Sequence, residues 1–358
     1  MVDGLDQIIA AETVLSEVDG QEGRLIIRGY PVEALAARFS AEQATALLLD
    51  GFFDAVPSAA QIGTARVRVF EQLIDVAPRL ARLDLYEGMR AAVALLPDGQ
   101  SLDEALMLIA APAVFTPLLL RLRSGRELVA PDPAIGHAAD IIRMLHGRPG
   151  DALQARALDA YLVTVCDHGL NASTFAARVV ASTRAGLTSA VLAGLSALKG
   201  PLHGGAPGPV IAMLDAIAAH GEPRAWLAAR LREGERLMGF GHRIYRVRDP
   251  RADALKAALR VLGQSPAAGE RLVFAETVER TALDLLREAK PDRPLHTNVE
   301  FYTALLLEAV GFPPEAFTCL FAAGRTAGWI AHAREQLATG RLIRPQSRYI
   351  GPQADLAA

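Results

Sequence analysis

The stretch AGLTSAVLAGLSAL, residues 185–198, is the feature that most restricts how this chain can fold. It carries no charge over 14 residues and is bounded by Arg184 and Lys199. A helix that is apolar on every side must be buried on every side. Small residues such as Gly186 and Gly194 would let a second helix approach closely. The stretch therefore predicts a helix at the centre of a helical core or at a contact between two subunits, and the sequence leaves both placements open.

Helical signals also dominate the rest of the chain. Ser40 with Gln43, and Ser101 with Glu104, form capping-box patterns in front of segments rich in Ala and Leu. Strand patterning is thin, and its best candidate is GRLIIRGY, residues 23–30, which predicts one small N-terminal hairpin. We therefore expect an all-α fold.

Composition excludes several classes of function. The 358 residues leave room for two domains or one large one, and the net charge of -3 argues against non-specific binding of nucleic acid. The two cysteines, Cys166 and Cys319, lack CxxC spacing, which indicates neither a disulfide framework nor a thiolate metal site. This usage fits a reducing cytoplasm.

The sequence also predicts a protein without a membrane segment. Asp3 and Asp6 stand where a signal peptide needs positive charge. The apolar run from Thr303 to Gly324 is interrupted by two glutamates and a Pro-Pro pair, whereas a membrane span needs about 20 apolar residues. We expect a soluble cytoplasmic protein.

Three histidines lie beside glycines or a predicted helix start: His168 in DHGLN, His203 in GPLHGG and His242 in GFGHR. Each alone is typical of a turn or a helix cap. Together with the four arginines between positions 243 and 251, they suit a reaction that builds negative charge on a carboxylate substrate. Arginine binds carboxylates in a two-pronged fashion, and neutral imidazole polarises or protonates carbonyl oxygens. The spacing does not predict a metal site, because no histidine pair at i, i+4 is present.

Six stretches resemble, in order, the landmarks of the citrate synthase family. They are AAETVLSEVDGQEGRLIIRGY, DHGLNASTFAARVVAST, ALKGPLHGGAP, GFGHRIYRVRDPRAD, TNVEFYTALLLEAVGFP and GRLIRPQSRYIGP, and they span about Ala10 to Pro352. The length is similar to that of the shorter bacterial and archaeal type, which includes the 2-methylcitrate synthases. The resemblance implies an almost entirely helical homodimer of the tricarboxylic acid cycle. Its large domain would comprise residues 1–203 and 312–358, and its small domain residues 204–311.

The resemblance also implies an activity, which is condensation of oxaloacetate with acetyl-CoA and hydrolysis of the thioester to citrate and CoA. No cofactor is implied, because the CoA thioester is a substrate. Oxaloacetate would bind first, and closure of the domains would then create the acetyl-CoA site. His203 would stabilise the enolate of the thioester, His242 would protonate the ketone of oxaloacetate, and Glu300 would be the base. Residues implied to bind substrate are His168, Arg251, Arg325, Arg344 from the partner subunit and, at the CoA phosphates, Arg246 and Arg248.

Glu300 is the departure from the family pattern, since NVEFY stands where NVDFY is usual. Glutamate and aspartate have reference pKa values of about 4.3 and 3.9, so they differ in the length of the side chain rather than in basicity. A misplacement of about 1 Å can lower a rate on the order of a hundredfold. Thr297 with Glu300 also forms a capping-box pattern, which predicts a purely structural role for the glutamate.

Two alternatives to a citrate synthase stay open at the level of sequence. A 2-methylcitrate synthase would use propionyl-CoA. The space around the acyl methyl group would decide whether acetyl-CoA or propionyl-CoA is preferred. A non-catalytic relative would keep the fold as a binding module, and Glu300 is the residue that favours it. Retention of both His203 and His242 argues against that module, which would not need two carbonyl-facing histidines.

Overall fold

The computed structural model describes residues 8–203, 207–242, 244–263, 266–291 and 295–352. Within these ranges the chain forms sixteen α-helices and one small antiparallel sheet, so the predicted all-α class is confirmed. The sheet has three strands, β1 (Ser16–Asp19), β2 (Arg24–Ile27) and β3 (Tyr30–Pro31), where a single hairpin was expected. Its order is β1-β2-β3, and in its register Ser16 lies opposite Ile27 and Ile26 opposite Pro31.

The helices follow one another with short connections. The first ten are α1 (Val32–Arg38), α2 (Ala41–Leu49), α3 (Ala59–Leu73), α4 (Ala77–Leu80), α5 (Leu85–Ala94), α6 (Leu102–Arg123), α7 (His137–His146), α8 (Ala152–Val165), α9 (Ala172–Ser182) and α10 (Leu187–Leu198). The remaining six are α11 (Pro207–His220), α12 (Pro223–Arg232), α13 (Pro250–Leu262), α14 (Pro266–Ala289), α15 (Val299–Val310) and α16 (Phe317–Thr339).

Local sequence signals place several helix starts. Ser40 and Ser101 form complete capping boxes with the residues three positions later, as predicted. The capping box predicted for Thr297 and Glu300 is wrong. Asn298 caps α15 instead, and its side-chain oxygen accepts a hydrogen bond from the backbone N–H of Glu300 at 3.0 Å. The Glu300 carboxyl is therefore not used as a cap.

The long helix α6 is the centre of the large helical core. Its 22 residues are buried along most of their length. It is long and apolar enough to cross a membrane, yet 94% of its most apolar window is buried inside the protein, as in a core helix. The apolar run that begins at Thr303 does not form one straight helix, because α15 and the segment Pro314–Thr339 meet at 119°.

Helix α10 corresponds to the uncharged stretch of the sequence, but it is not buried on every side within one chain. Its inner face packs against α9 and α16, where Gly194 lies so close to the Trp329 ring that a Cβ atom would be 2.7 Å from it. Its outer face is half-buried at Leu192 and Ala193 and exposed at Ser196. The two placements predicted from sequence are thus divided between the two faces of one helix: the inner face is core, and the outer face is apolar surface.

Both cysteines lie in the interior, and both are free. Burial raises the pKa of the Cys166 thiol to about 12, and burial raises that of the Cys319 thiol further. Neither thiol is therefore a reactive thiolate at neutral pH.

Elements that are distant in sequence meet at one edge of the core. Helices α13 and α15 pack against α8, and α13 also packs against α1. The turn between β1 and β2 reaches the same region, where the backbone N–H of Arg246 donates to the carbonyl of Gly20 at 2.8 Å. The division into domains at residues 203 and 312 stays a prediction.

Candidate active site

The three predicted histidines and two of the predicted arginines form one group. The His168 and His242 rings meet edge to face with their centroids 6.0 Å apart. Burial lowers the pKa of His168 well below its usual value, and the charges of Arg251 and Arg325 lower it further. Residues from three separate loops and two helices are therefore close enough to shift one another's protonation, as expected of an active site.

His242 presents an N–H group to the site. Its Nδ1 atom accepts hydrogen bonds from the backbone N–H groups of Ile244 at 3.0 Å and Tyr245 at 3.1 Å, which places the hydrogen of the neutral ring on Nε2. Burial, followed by the charge of Arg251, lowers the pKa of His242 to about 4, so the ring is neutral at pH 7. Its Nε2 lies 3.2 Å from Nη2 of Arg251. Two donors held this close together can both bind one anionic or carbonyl oxygen.

Asp249 fixes Arg251 in this position. Its two oxygens accept from Nε of Arg251 at 3.0 Å and from Nη2 at 2.8 Å, a bidentate pair that is almost fully buried. The same carboxylate caps α13 and accepts from the backbone N–H of Val299 at 3.1 Å. Asp249 therefore ties the start of α13 to the start of α15, and sequence analysis did not identify it. Its position in the DPRAD motif, two residues before Arg251, was an available signal.

Arg325 lies in α16 with 1% of its surface exposed. Its Nε donates to the carbonyl of Val165 at 2.5 Å, but its buried Nη2 has no hydrogen-bond partner among the described residues. Burial lowers its pKa to about 10, which leaves it charged at neutral pH. A buried guanidinium with an unused donor is costly unless an anion joins it. Arg325 is therefore the strongest indication of a carboxylate site.

His203 packs beside the start of α9. Its Nε2 lies 2.8 Å from Oγ of Ser173, an oxygen that also accepts from the indole N–H of Trp329 at 3.1 Å. The Ser173 hydroxyl donates to Oδ1 of Asn171 at 2.8 Å, the atom that also accepts two backbone N–H groups as the cap of α9. Because the serine hydrogen is used there, we assign the ring hydrogen of His203 to Nε2, which donates it to Oγ. Burial lowers the pKa of His203 to about 4, so the ring is neutral at pH 7.

Glu300 occupies the first turn of α15 with a mostly buried carboxyl group. No described residue donates a hydrogen bond to that carboxyl. Burial raises its pKa to about 7, with Asp249 acting in the same direction and Arg251 opposing it. A carboxyl with a pKa near 7 exchanges protons readily at neutral pH, which is the property of a general base.

The remaining predicted arginines are less closely involved. Arg248 is engaged in ion pairs, with Nε 2.6 Å from Asp253 and Nη1 2.9 Å from Glu279. Arg246 is exposed. Arg344 lies beyond α16 in an exposed segment that is neither helix nor strand, and it forms no described contact with the histidines. The structure thus brings His168, His203, His242, Arg251, Arg325 and Glu300 together and leaves the other three arginines outside the group.

Glu279 of α14 supports the site from behind, and sequence analysis missed it because no motif contains it. It accepts hydrogen bonds from Thr297 at 2.7 Å, Tyr302 at 2.5 Å, Arg248 at 2.9 Å and Lys256 at 3.0 Å. Although burial acts in the opposite direction, these donors hold its pKa at about 2. Glu279 thereby joins the segment that carries Glu300 to the loop that carries His242.

The chain is similar to known proteins over nearly its whole length. A family model described as the citrate synthase C-terminal domain matches residues 4–346. The putative citrate synthase 2 of Mycobacterium tuberculosis is 38% identical, with 98% of this chain and 93% of the relative covered. The citrate synthase of Haloferax volcanii is 36% identical over 97% of this chain and 95% of the relative. A 2-methylcitrate synthase of M. tuberculosis is 33% identical over 97% of this chain and 90% of the relative.

A solved structure extends the likeness to the whole fold. The citrate synthase of Thermoplasma acidophilum, solved as a ternary complex with carboxymethyl coenzyme A and oxaloacetate, superimposes with a TM-score of 0.86. The match is 28% identical and covers 99% of this chain and 97% of that chain.

Proposed function

This chain belongs to the citrate synthase family, and we propose that it condenses oxaloacetate with acetyl-CoA and hydrolyses the thioester to citrate and CoA. The observation that carries the proposal is the buried Nη2 of Arg325, which has no hydrogen-bond partner among the described residues. Arg325 lies near Arg251, and both arginines and His242 lie near His168. Such a set matches a small molecule with carboxylates and a ketone. The Thermoplasma relative, whose complex holds oxaloacetate, supports this substrate.

Oxaloacetate binding follows from the fixed donors. Arg251 and Arg325 supply guanidinium groups for the carboxylates, and His168 supplies a neutral imidazole beside them. Nε2–H of His242 would donate to the ketone oxygen and make the ketone carbon electrophilic. Because Asp249 already holds Arg251, little ordering remains when the substrate arrives.

Carbon–carbon bond formation needs a base and two donors. Glu300 would remove a proton from the methyl group of the thioester, while His203 would stabilise the negative charge on the enolate oxygen. The enolate carbon then bonds to the ketone carbon of oxaloacetate, and the ketone oxygen takes a proton from His242. Water then attacks the resulting thioester. Its oxygen joins the acyl carbon as the carbon–sulfur bond breaks, one of its protons goes to the sulfur of CoA and the other restores His242. Glu300 releases its proton to solvent, so that citrate leaves as the carboxylate and CoA as the thiol.

We propose further that the active form is a homodimer in the cytoplasm. The half-buried apolar face of α10 offers a surface for a second copy. Arg344, exposed in one chain, would then reach oxaloacetate in the partner subunit. Of the two arginines considered for the CoA phosphates, the exposed Arg246 fits better, because Arg248 is held by two carboxylates.

The test is release of free CoA thiol from oxaloacetate with acetyl-CoA and, separately, with propionyl-CoA. We expect turnover by the wild type, its loss in Glu300→Gln, and oxaloacetate binding by both proteins. The 2-methylcitrate synthase relative makes propionyl-CoA the second candidate substrate, and the ratio of the two kcat/KM values decides between them. Oxaloacetate binding without CoA release from either thioester would refute catalysis and leave a binding module.

A further inference from the structure

We propose that Tyr245 is a positioning residue for oxaloacetate, and that it sets both histidines that face the keto acid. Its hydroxyl lies 3.0 Å from Nε2 of His168, and its backbone N–H donates to Nδ1 of His242 at 3.1 Å. This inference rests on the proposed function, because it assigns a role within the oxaloacetate site.

The tyrosine is enclosed by the substrate-binding groups. Its ring centroid is 4.8 Å from that of His242 and 5.6 Å from that of His168, and the guanidinium carbon of Arg251 lies 5.8 Å from it over the ring. Only 4% of the residue is exposed. In the described part of the chain, His168 is the one hydrogen-bond partner of the hydroxyl. The side chain therefore belongs to the wall of the site rather than to the surface.

Counting hydrogens shows what the pair can offer a substrate. A neutral imidazole has one N–H and a phenol has one O–H, and their mutual bond uses one of these two hydrogens. The other hydrogen remains on the pair and can be donated to a carboxylate oxygen. Burial keeps the phenol protonated by raising its pKa, and burial keeps His168 neutral by lowering its own. Without the hydroxyl, the His168 ring would lose the contact that fixes its orientation and tautomer.

A purely structural role makes a different prediction. If the hydroxyl only provides a hydrogen-bond partner for the buried His168 ring, its removal lowers the stability of the fold and leaves the affinity for each substrate unchanged. If Tyr245 positions His168, its removal weakens oxaloacetate binding selectively. Binding of oxaloacetate alone and the separate KM values of the two substrates distinguish these roles.

The experiment compares Tyr245→Phe with Tyr86→Phe in the full-length enzyme. Tyr86 is a matched control, because it is 6% exposed and its hydroxyl donates to the carbonyl of Leu195 at 2.7 Å, in the contact between α5 and α10. We expect Tyr245→Phe to raise the Kd for oxaloacetate, measured by calorimetry, and its KM about tenfold, because a His168 ring that is no longer held in place loses its hydrogen bond to a charged ligand. The KM for acetyl-CoA should stay within about twofold. Tyr86→Phe should change neither constant.

A double-mutant cycle tests the link to His168. In a His168→Gln background, Tyr245→Phe should cost little further affinity, because the contact through which it acts is already lost. If Tyr245→Phe does not fold, Tyr245→Met takes its place, because methionine is flexible and can fill the space of the lost ring. Unchanged oxaloacetate affinity in the tyrosine variant, or equal losses in the Tyr86 control, would overturn the inference. A wild type that neither binds oxaloacetate nor releases CoA would instead overturn the proposed function.

Discussion

Replacing Glu300 by glutamine should stabilise the folded protein at pH 8 while abolishing turnover. In the folded state the carboxyl is mostly buried, and no described residue donates a hydrogen bond to it. Ionisation therefore places a negative charge in a site that compensates it poorly. Glutamine keeps the shape of the side chain and removes that charge.

The magnitude follows from the pKa. Its rise from 4.5 to about 7 on folding corresponds, at about 1.4 kcal/mol per pKa unit, to at most about 3 kcal/mol. Because Glu300 retains some exposure, we expect a gain of about 1–2 kcal/mol. Below pH 4.5 the carboxyl is protonated in both the folded and the unfolded state, so the variant has no advantage. The destabilisation of the wild type appears as pH rises through 4.5 and is complete above about 7.

Urea unfolding at pH 5 and pH 8, at one fixed protein concentration, measures the effect. Glu71→Gln is the control, because Glu71 is exposed on α3, and its substitution should change stability at neither pH. A Glu300→Gln variant no more stable than wild type at pH 8, or one with the same advantage at both pH values, would refute the reasoning. An active site that keeps a buried carboxylate for catalysis does so at a cost in stability. Removal of that charge should therefore stabilise the fold and abolish turnover together.

Three further predictions concern activity. For the wild type, kcat/KM should rise with pH through about 7 as Glu300 loses its proton, and a profile that is flat from pH 5.5 to 8.5 would contradict the assignment of the base. Arg325→Lys should raise the KM for oxaloacetate by roughly a hundredfold with little effect on the KM for acetyl-CoA, because an ammonium group cannot bind a carboxylate through two parallel N–H groups as a guanidinium does. Equal changes in both constants would argue against a carboxylate site. Arg344→Ala and His242→Ala should each be inactive alone, whereas a preparation mixed and refolded at equal amounts should recover about one quarter of wild-type activity if the active sites are shared across a dimer. No recovery from heterodimers shown to have formed would place Arg344 within its own subunit's site.

Sequence reasoning predicted those parts of the fold that depend on local chemistry. Ser40 and Ser101 could be identified as caps because the capping box is a pattern within four residues. The same pattern failed at Thr297, where Glu279 accepts the threonine hydroxyl and Asn298 takes over the cap. A contact between residues 18 positions apart decided that case, and local pattern contains no information about it.

The site was predictable to a similar extent. The three histidines were found because they lie beside glycines or a predicted helix start, and the role of Arg251 was implied by the family resemblance of its motif. Tyr245 and Asp249 lie in one of the same motifs, yet their importance depends on contacts with His168 and Val299 that only the fold creates. The pKa of Glu300 is equally a property of the fold, since burial sets it.

The inaccessibility of Cys166 and Cys319 makes this chain well suited to fluorescence measurements. Because both thiols are buried and protonated, a maleimide dye should leave the folded wild type unlabelled. Cysteines introduced at the exposed positions Ala60 in α3 and Ala289 in α14 would then carry a donor and an acceptor dye without any change to the native cysteines. Energy transfer between them would report in real time whether the two predicted domains approach each other when oxaloacetate is added.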